Sequence, residues 1–308
     1  MDELIAHLGG LVKKIEDYEI VEKLRAGGFA TVFIAKKKNT GEIYAAKDIN
    51  AKGKKMADDQ MILREIEIFA KIKGPGILPF HGISLTNFEG EPYPTIFTKY
   101  MKNGSLGEML RQEKLRKAPT EWNNTKKMIN IYGICVAMAF IHKNNVIHRD
   151  LKPDNILLDE NCYPFLSDFG MSKLVDSTSN VKTMNGGTPA FMAPEIYTNS
   201  PYNSKVDVYA FGMLLYQTIC AKEPFAEFKK NTFMIWHKIL SDQRPPLTDA
   251  FPESFKELIK KCWAGDMNAR PSFEEIVKLL DTGSVMLPDV NIEEFEEYKK
   301  LVLQTSNE

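Results

Sequence analysis

The hydrophobic period of this chain is mostly that of strands before about residue 101 and mostly that of helices after it, and that shift constrains its architecture more than anything else in it. Between Tyr18 and Ile49 apolar residues come in short β-rich runs, Glu19–Leu24, Thr31–Lys36 and Ile43–Ile49, with Asn39-Thr40-Gly41 as a turn signal between the last two. Residues 60–72 read as a helix with Ile62, Ile66, Phe69 and Ile72 on a common side, and strand-like runs follow at Leu78–Ile83 and Thr95–Tyr100. Beyond Asn103-Gly104 the spacing becomes helical, at 105–115, 125–143, 204–221, 231–241, 253–262 and 272–281. Short strands and polar loops fill 144–203. The pattern predicts an α+β chain with a small β-rich lobe at about 18–101, a hinge near residue 101 and a larger helical lobe at about 102–281. Residues 1–17 carry apolar positions at helical spacing, interrupted by Gly9-Gly10, and predict a helical N-terminal extension. A C-terminal extension covers 282–308, where 291–302 reads as a short helix with acid first and lysines last.

Composition excludes several classes of function. Lys plus Arg number 40 against 41 Asp plus Glu, a net charge of −1, which argues against bulk electrostatic binding of nucleic acid or anionic membrane. That balance leaves room for a local basic pocket. No stretch approaches the ~18 unbroken apolar residues of a membrane span. The cysteines, Cys135, Cys162, Cys220 and Cys262, lie far apart without a CxxC pair, so neither a zinc ribbon nor a disulfide framework is expected. Met1-Asp2-Glu3 puts acid where a signal peptide carries a basic region. The expectation is a soluble, cytoplasmic protein.

Chemistry concentrates in a few segments. Gly27 and Gly28, within Arg25–Val32 and between two predicted strands, either let backbone N–H groups approach a phosphate or form an ordinary hairpin turn. Lys47 ends the apolar run Tyr44-Ala45-Ala46-Lys47, facing an anion or solvent. Glu65 on the 60–72 helix is its candidate partner or a solvated glutamate. Such a pair is worth roughly 4 kcal/mol at an effective dielectric of about 20 before desolvation offsets most of it, so it would position more than stabilise. His81 reads as structural. His148-Arg149-Asp150-Leu151-Lys152-Pro153-Asp154-Asn155 packs a base, two cations and an amide into one loop, and Ser167-Asp168-Phe169-Gly170 sets a carboxylate at the end of an apolar run. Asn155 and Asp168 are hard oxygen ligands suited to Mg²⁺, which takes few protein ligands. Asp150 can accept a hydroxyl proton, and Lys152 can neutralise charge growing on a phosphoryl group.

Taken together, His148-Arg149-Asp150 with Asn155, Asp168-Phe169-Gly170 and Ala193-Pro194-Glu195, preceded in order by the glycine loop and Lys47, resemble the eukaryotic protein kinase family from about Tyr18 to Leu280. The resemblance implies a two-lobed protein-kinase-like fold and a kinase domain at 18–281. It implies ATP with Mg²⁺, or Mn²⁺ in its place, as cofactors and protein substrates as partners. By position, Lys47 would grip the nucleotide phosphates with Glu65 behind it. Asp150 and Lys152 would be catalytic, and Asn155 and Asp168 would hold metal. Gly27, Gly28, Val32, Ala45, Thr98, Lys99, Met101 and Leu157 would line the nucleotide. Thr98 would guard the back of the adenine pocket and Lys99 and Met101 would offer it backbone hydrogen bonds. Glu195 would pair with Arg270, and Asp207 would brace the backbone near His148.

Lys152 and Gly187-Thr188-Pro189-Ala190-Phe191-Met192 resemble serine/threonine-directed members, while Asp207–Gly212 and Asn268–Phe273 are most similar to the tyrosine-kinase-like branch. The loop Ser172–Gly187 offers Ser177, Thr178, Ser179 and Thr183 for phosphorylation by an upstream kinase or by a second copy of the chain, with Arg149 and Lys173 as cations to receive it. One departure stands out: the family's three loop glycines read here as Arg25, Gly27 and Ala30. A non-glycine in a glycine-only conformation costs about 1–3 kcal/mol, roughly ten- to a hundredfold in an equilibrium, which weakens nucleotide handling without removing a chemical role. The alternatives are a pseudokinase scaffold and a small-molecule kinase; the latter gives no reason for the full Gly187–Glu195 segment.

Overall fold

In the computed structural model, which describes residues 8–26, 30–49, 56–174 and 187–304, the β-rich stretch forms a five-stranded antiparallel sheet in the order β1-β2-β3-β5-β4. Its strands are β1 (Tyr18–Ala26), β2 (Ala30–Lys37), β3 (Ile43–Ile49), β4 (Phe80–Ser84) and β5 (Thr95–Lys99), with helix α1 (Met56–Lys71) between β3 and β4. Side chains alternate across a strand, so register sorts them by face. Lys47 lies opposite Val32 on one side and Ile96 on the other, and Ala45 lies opposite Thr98. Val32, Ala45, Lys47, Ile96 and Thr98 therefore share one face. The other face carries Ala35, Ala46 and Phe97 against Tyr18, whose ring stacks on Phe97 at 4.2 Å. The Tyr18 hydroxyl lies 2.9 Å from His81 Nε2, and Tyr44 stacks on the His81 ring, so that histidine is built into this core layer.

Leu8 is helical as expected, but residues 9–17 depart from the expected helix. They form two short 3-10 turns, Gly9–Leu11 and Ile15–Asp17, with Val12 and Lys14 extended between them. Gly9 sits at φ +44, and the Lys13 N–H donates to Ile83 O at 2.7 Å, so the backbone is drawn onto β4 instead of into its own helical turn. Residues 1–7 of that predicted helix lie outside the described residues, as do Gly27 and Gly28 and the loop residues 175–186 with Ser177, Thr178, Ser179 and Thr183.

This first unit takes in the chain through Lys73 together with Leu78–Lys102; Gly74–Ile77 and everything from Asn103 belong to a second unit. The four-residue excursion has a packing cause. Gly74 lies against Phe140 where no Cβ would fit, Leu166 N–H donates to Gly76 O at 2.7 Å, and Ile77 forms a parallel bridge with Leu166.

The second unit is built of α2 (Leu106–Lys114), α3 (Asn124–Lys143), α4 (Pro194–Tyr197), α5 (Lys205–Cys220), α6 (Thr232–Leu240), α7 (Glu253–Cys262), α8 (Phe273–Asp281) and α9 (Ile292–Gln304). Two small sheets pair β6 (Val146–Ile147) with β9 (Lys173–Leu174) and β7 (Ile156–Leu158) with β8 (Pro164–Leu166). Helices α3 and α5 are apolar on almost every side and correspondingly buried. Around them pack the amphipathic α7 and α8, and α9 lies on α3. No helix among the described residues is long and apolar enough to cross a membrane.

Candidate active site

In the first unit, α1 carries Glu65 over the sheet face that holds Lys47. The Lys47 Nζ donates to both Glu65 carboxylate oxygens, at 2.8 and 2.7 Å, and Glu65 is 5 % exposed. Of the two alternatives left open for each residue, the inward-facing ion pair is the one that forms. Of the other residues that the sequence pointed to here, Val32, Ala45 and Thr98 share the Lys47 face, Lys99 ends β5 and Met101 is buried just after it.

In the second unit the chain turns from β6 into a loop held by one carboxylate. Asp207, at the start of α5 and 1 % exposed, accepts the backbone N–H of His148 and of Arg149, each at 2.8 Å, and meets His142 Nε2 at 2.9 Å. Burial alone pushes its pKa up, but the hydrogen bond and charge of His142, the nearby His148 and the Arg149 N–H outweigh it and leave the carboxyl below its ordinary value. These bonds hold Arg149 at φ +66, which non-glycine residues rarely adopt. The His148 ring is fixed from both nitrogens: Nε2 donates to Ser167 O at 3.0 Å, and Nδ1 accepts the Asp150 N–H at 3.3 Å. A backbone carbonyl can only accept, which sets the tautomer.

Asp150 thereby projects into a tight polar group. Lys152 Nζ donates to its Oδ2 at 2.6 Å, and Asn155 Nδ2 donates to the same oxygen at 2.9 Å and to the Asp150 carbonyl at 2.8 Å. The Thr188 hydroxyl accepts from Lys152 at 2.9 Å and lies 3.4 Å from Asp150 Oδ1. Both Asn155 amide donors point at Asp150, so its Oδ1 is the atom suited to a cation. Asp168 is brought to the same end of the β7–β8 hairpin by register: Ile156 pairs with Leu166, and the Ser167 N–H and hydroxyl both donate to Asn155 O at 2.9 Å. Asp168 itself adopts φ +62, ψ +70. One carboxylate and one amide oxygen fit a hard cation that completes its shell with water and phosphate oxygens, and fit poorly a metal needing an all-protein cage. Among the described residues no cluster of three or more His, Cys, Asp or Glu forms such a cage. Leu157 is half-buried on β7, in this unit.

Two supporting contacts complete the loop architecture. Glu195 and the fully buried Arg270 form a two-pronged pair at 2.6 and 2.9 Å, as the resemblance implies. The Arg149 guanidinium donates to Met171 O and, at 3.3 Å, to the Tyr202 hydroxyl. Sequence reasoning missed His142 as a partner of Asp207 and missed the contact of Thr188 with Lys152. The first had a signal, a histidine in the last turn of the helix feeding the loop; the second joins residues 36 positions apart and had none.

The β sheet with one helix over Lys47, the mostly helical second unit and this loop define a class, and comparison with known proteins agrees. The protein kinase domain model matches residues 18–279. The chain belongs to the protein kinase family, on the tyrosine-kinase-like side that its sequence resembles. It is 34 % identical over 270 residues to the dual specificity protein kinase pyk3 of Dictyostelium discoideum, covering 87 % of this chain and 19 % of that protein. Against receptor-interacting serine/threonine-protein kinase 3 of Homo sapiens it is 30 % identical over 286 residues, 88 % of this chain and 52 % of the relative. Serine/threonine-protein kinase VIK of Arabidopsis thaliana matches at 35 % over 247 residues, 76 % and 53 % of the two chains. The chain thus spans about half or less of the length of these relatives.

Proposed function

We propose that this chain is an active serine/threonine protein kinase, transferring the γ-phosphate of ATP to protein hydroxyls. The observation that carries the reading is the Asp150 carboxylate, held by Lys152 at 2.6 Å and Asn155 at 2.9 Å, with a threonine hydroxyl beside both. In this reading Asp150 orients the acceptor hydroxyl and takes its proton, while Lys152 offsets charge on the group in transfer. Lys47, drawn inward by Glu65, binds the nucleotide phosphates, and Val32, Ala45, Thr98, Lys99, Met101 and Leu157, with Gly27 and Gly28, contact the nucleotide. Asn155 and Asp168 hold Mg²⁺, which when bound screens the phosphate charge. Every position with a chemical role is filled, which favours an enzyme over a pseudokinase scaffold. The kinase domain is taken as 18–281, flanked by extensions at 1–17 and 282–308, in a cytoplasmic protein.

Regulation is proposed through Thr183, phosphorylated by an upstream kinase or by a second copy of the chain, with Arg149 and Lys173 receiving the phosphate. The test is one assay on full-length chain with ATP, Mg²⁺ and an array of serine, threonine and tyrosine peptides. Asp150→Ala lowers transfer about a hundred- to ten-thousandfold, and signal appears on serine and threonine peptides. Nucleotide binding with turnover equal to that of Asp150→Ala would hand the case to the scaffold. Tyrosine peptides labelled as fast as the others would make the enzyme dual-specific. For regulation, unchanged transfer by Thr183→Ala, in chain shown by mass spectrometry to carry phosphate there, would rule it out.

A further inference from the structure

The segment before β1 lies outside the matched kinase domain, yet it is built into the core beside the Lys47–Glu65 pair. Leu8 is 2 % exposed and closes an apolar cluster with Ile66, Ile83 and Ile96, against which Val12 and Ile62 also pack. Backbone contacts fix the segment there: the Lys13 N–H donates to Ile83 O at 2.7 Å, and Val12 forms a parallel bridge with Ile83. Gly82 makes the approach possible, since a Cβ at that position would overlap the Leu11 carbonyl.

The cluster contains a neighbour of each half of the ion pair. Ile66 follows Glu65 on α1, and Ile96 is the β5 residue opposite Lys47. Leu8 and Ile83 belong to the same buried cluster. Two hydrogen bonds from one Nζ to both oxygens of a carboxylate tolerate little change in the height of α1 above the sheet, because hydrogen bonds weaken steeply outside a narrow range of distance and angle.

From this juxtaposition we infer that Leu8–Lys13 is a built-in positioning element for Glu65, with Leu8 as the positioning residue that holds α1 where Glu65 meets Lys47. The inference rests on the kinase reading only for its consequence in activity; the coupling of Leu8 to α1 stands apart from it. A leucine that merely filled the core would lower stability without acting through Glu65. The two cases separate in a double-mutant cycle, because residues acting through one another give non-additive effects.

The experiment uses full-length chain carrying Leu8→Ala, Leu8→Met, Glu65→Gln and the Leu8→Ala/Glu65→Gln pair. It reads kcat/KM for ATP and amide hydrogen exchange. Leu8→Ala is expected to lower kcat/KM about tenfold, a magnitude ordinary for coupling through packed side chains. Leu8→Met, which conserves volume, keeps kcat/KM within about twofold. In the Glu65→Gln background Leu8→Ala costs less than about twofold, and exchange quickens at 62–71 while α3 stays protected. Equal losses in both backgrounds, or exchange at 62–71 unchanged by Leu8→Ala, overturn the inference. If the unsubstituted chain transfers no phosphate, the kinase reading falls and the exchange result alone decides the positioning role. If Leu8→Ala unfolds the whole chain, so that α3 also loses protection, Lys13→Pro decides by the same readouts. It removes the N–H bonded to Ile83 O and leaves the apolar cluster intact, and Val12, at φ −75 and ψ 125, is already in the conformation that a following proline requires.

Discussion

At the scale of single residues, the second unit's loop was legible because its parts are close in the chain. Asp150, Lys152 and Asn155 fall within six positions, so residue types alone limited what they could do together. Lys47 and Glu65 were not settled in the same way. Whether a strand-end lysine faces inward depends on register, and whether a helix glutamate meets it depends on helix phase; both are products of tertiary packing. Asp207 shows what distance in sequence hides, since it lies 59 residues from the His148 N–H it accepts. That carboxylate carries a prediction. Although buried, it titrates below its ordinary 3.8, because its partners favour the charged form more than burial disfavours it. Protonation is therefore harder in the folded chain than in the unfolded one. Its stabilisation is complete above 3.8 and is lost as the pH falls through the lower folded-state value. Asp207→Asn keeps the shape but supplies one acceptor oxygen where two are used, and is expected to cost about 2–3 kcal/mol near neutral pH. Urea unfolding from about pH 7 down to about pH 3 should show the gap between the two proteins constant near neutrality and narrowing in acid. Parallel curves throughout would mean that Asp207 does not contribute in this way.

At the scale of elements, periodicity located the described helices to within a few residues, except the one-turn α4 (Pro194–Tyr197), which it read as loop, and it failed where a competing partner existed. The long helices α3 and α5 announced themselves because little but burial explains so apolar a run. Residues 9–17 continue a helical spacing too, but Gly9-Gly10 weakens the helix and the edge of β4 offers the backbone another set of hydrogen bonds. Helix α9 shows the reverse: its charge order suggested a helix, but nothing in the sequence showed what it would cover. In the structure it buries Phe295, Tyr298 and Val302 within the second unit, Lys126 pairs with Glu294 at 2.6 Å, and Tyr298 occupies the notch left by Gly133 on α3. A Cβ at Gly133 would overlap the Tyr298 hydroxyl and lie 2.7 Å from Pro164 Cγ. Gly133→Ala is therefore expected to destabilise by about 1–3 kcal/mol despite the helix propensity it gains. Tyr298→Ala empties the notch and should cost about 3–5 kcal/mol, the range for large aromatic truncations. The double variant should lose less than the sum, because the alanine methyl then enters space the ring has left. Chemical denaturation of the unsubstituted chain and the three variants measures all of this, and strict additivity would show that Gly133 and Tyr298 do not meet.

At the scale of the whole molecule, the net charge of −1 said nothing of the concentrated ion pairs at Lys47 and Lys152, since a total does not record placement. Chain connectivity carries more information than that total. The boundary between the units is crossed not only after Lys102 but also at Gly74–Ile77, which leaves the first unit, contributes a bridge to Leu166 in the second and returns to β4. Neither unit is therefore a continuous stretch of sequence. Opening the second unit around Leu166 releases the tether between α1 and β4, and so removes a constraint on the first. The tryptophans supply a test, because Trp122, Trp236 and Trp263 all belong to the second unit. Their fluorescence follows that unit alone, whereas far-ultraviolet circular dichroism follows both. If Gly74–Ile77 couples the units, the two signals trace one urea transition with a single midpoint. Gly76 sits at φ +64 with Ala137 Cβ only 3.0 Å from where its own Cβ would be, so Gly76→Val forces the excursion off α3. In that variant the fluorescence midpoint should fall below the circular dichroism midpoint as the second unit loosens first. Separate midpoints already in the unsubstituted chain would show that the excursion is a passive crossing and that each unit unfolds on its own terms.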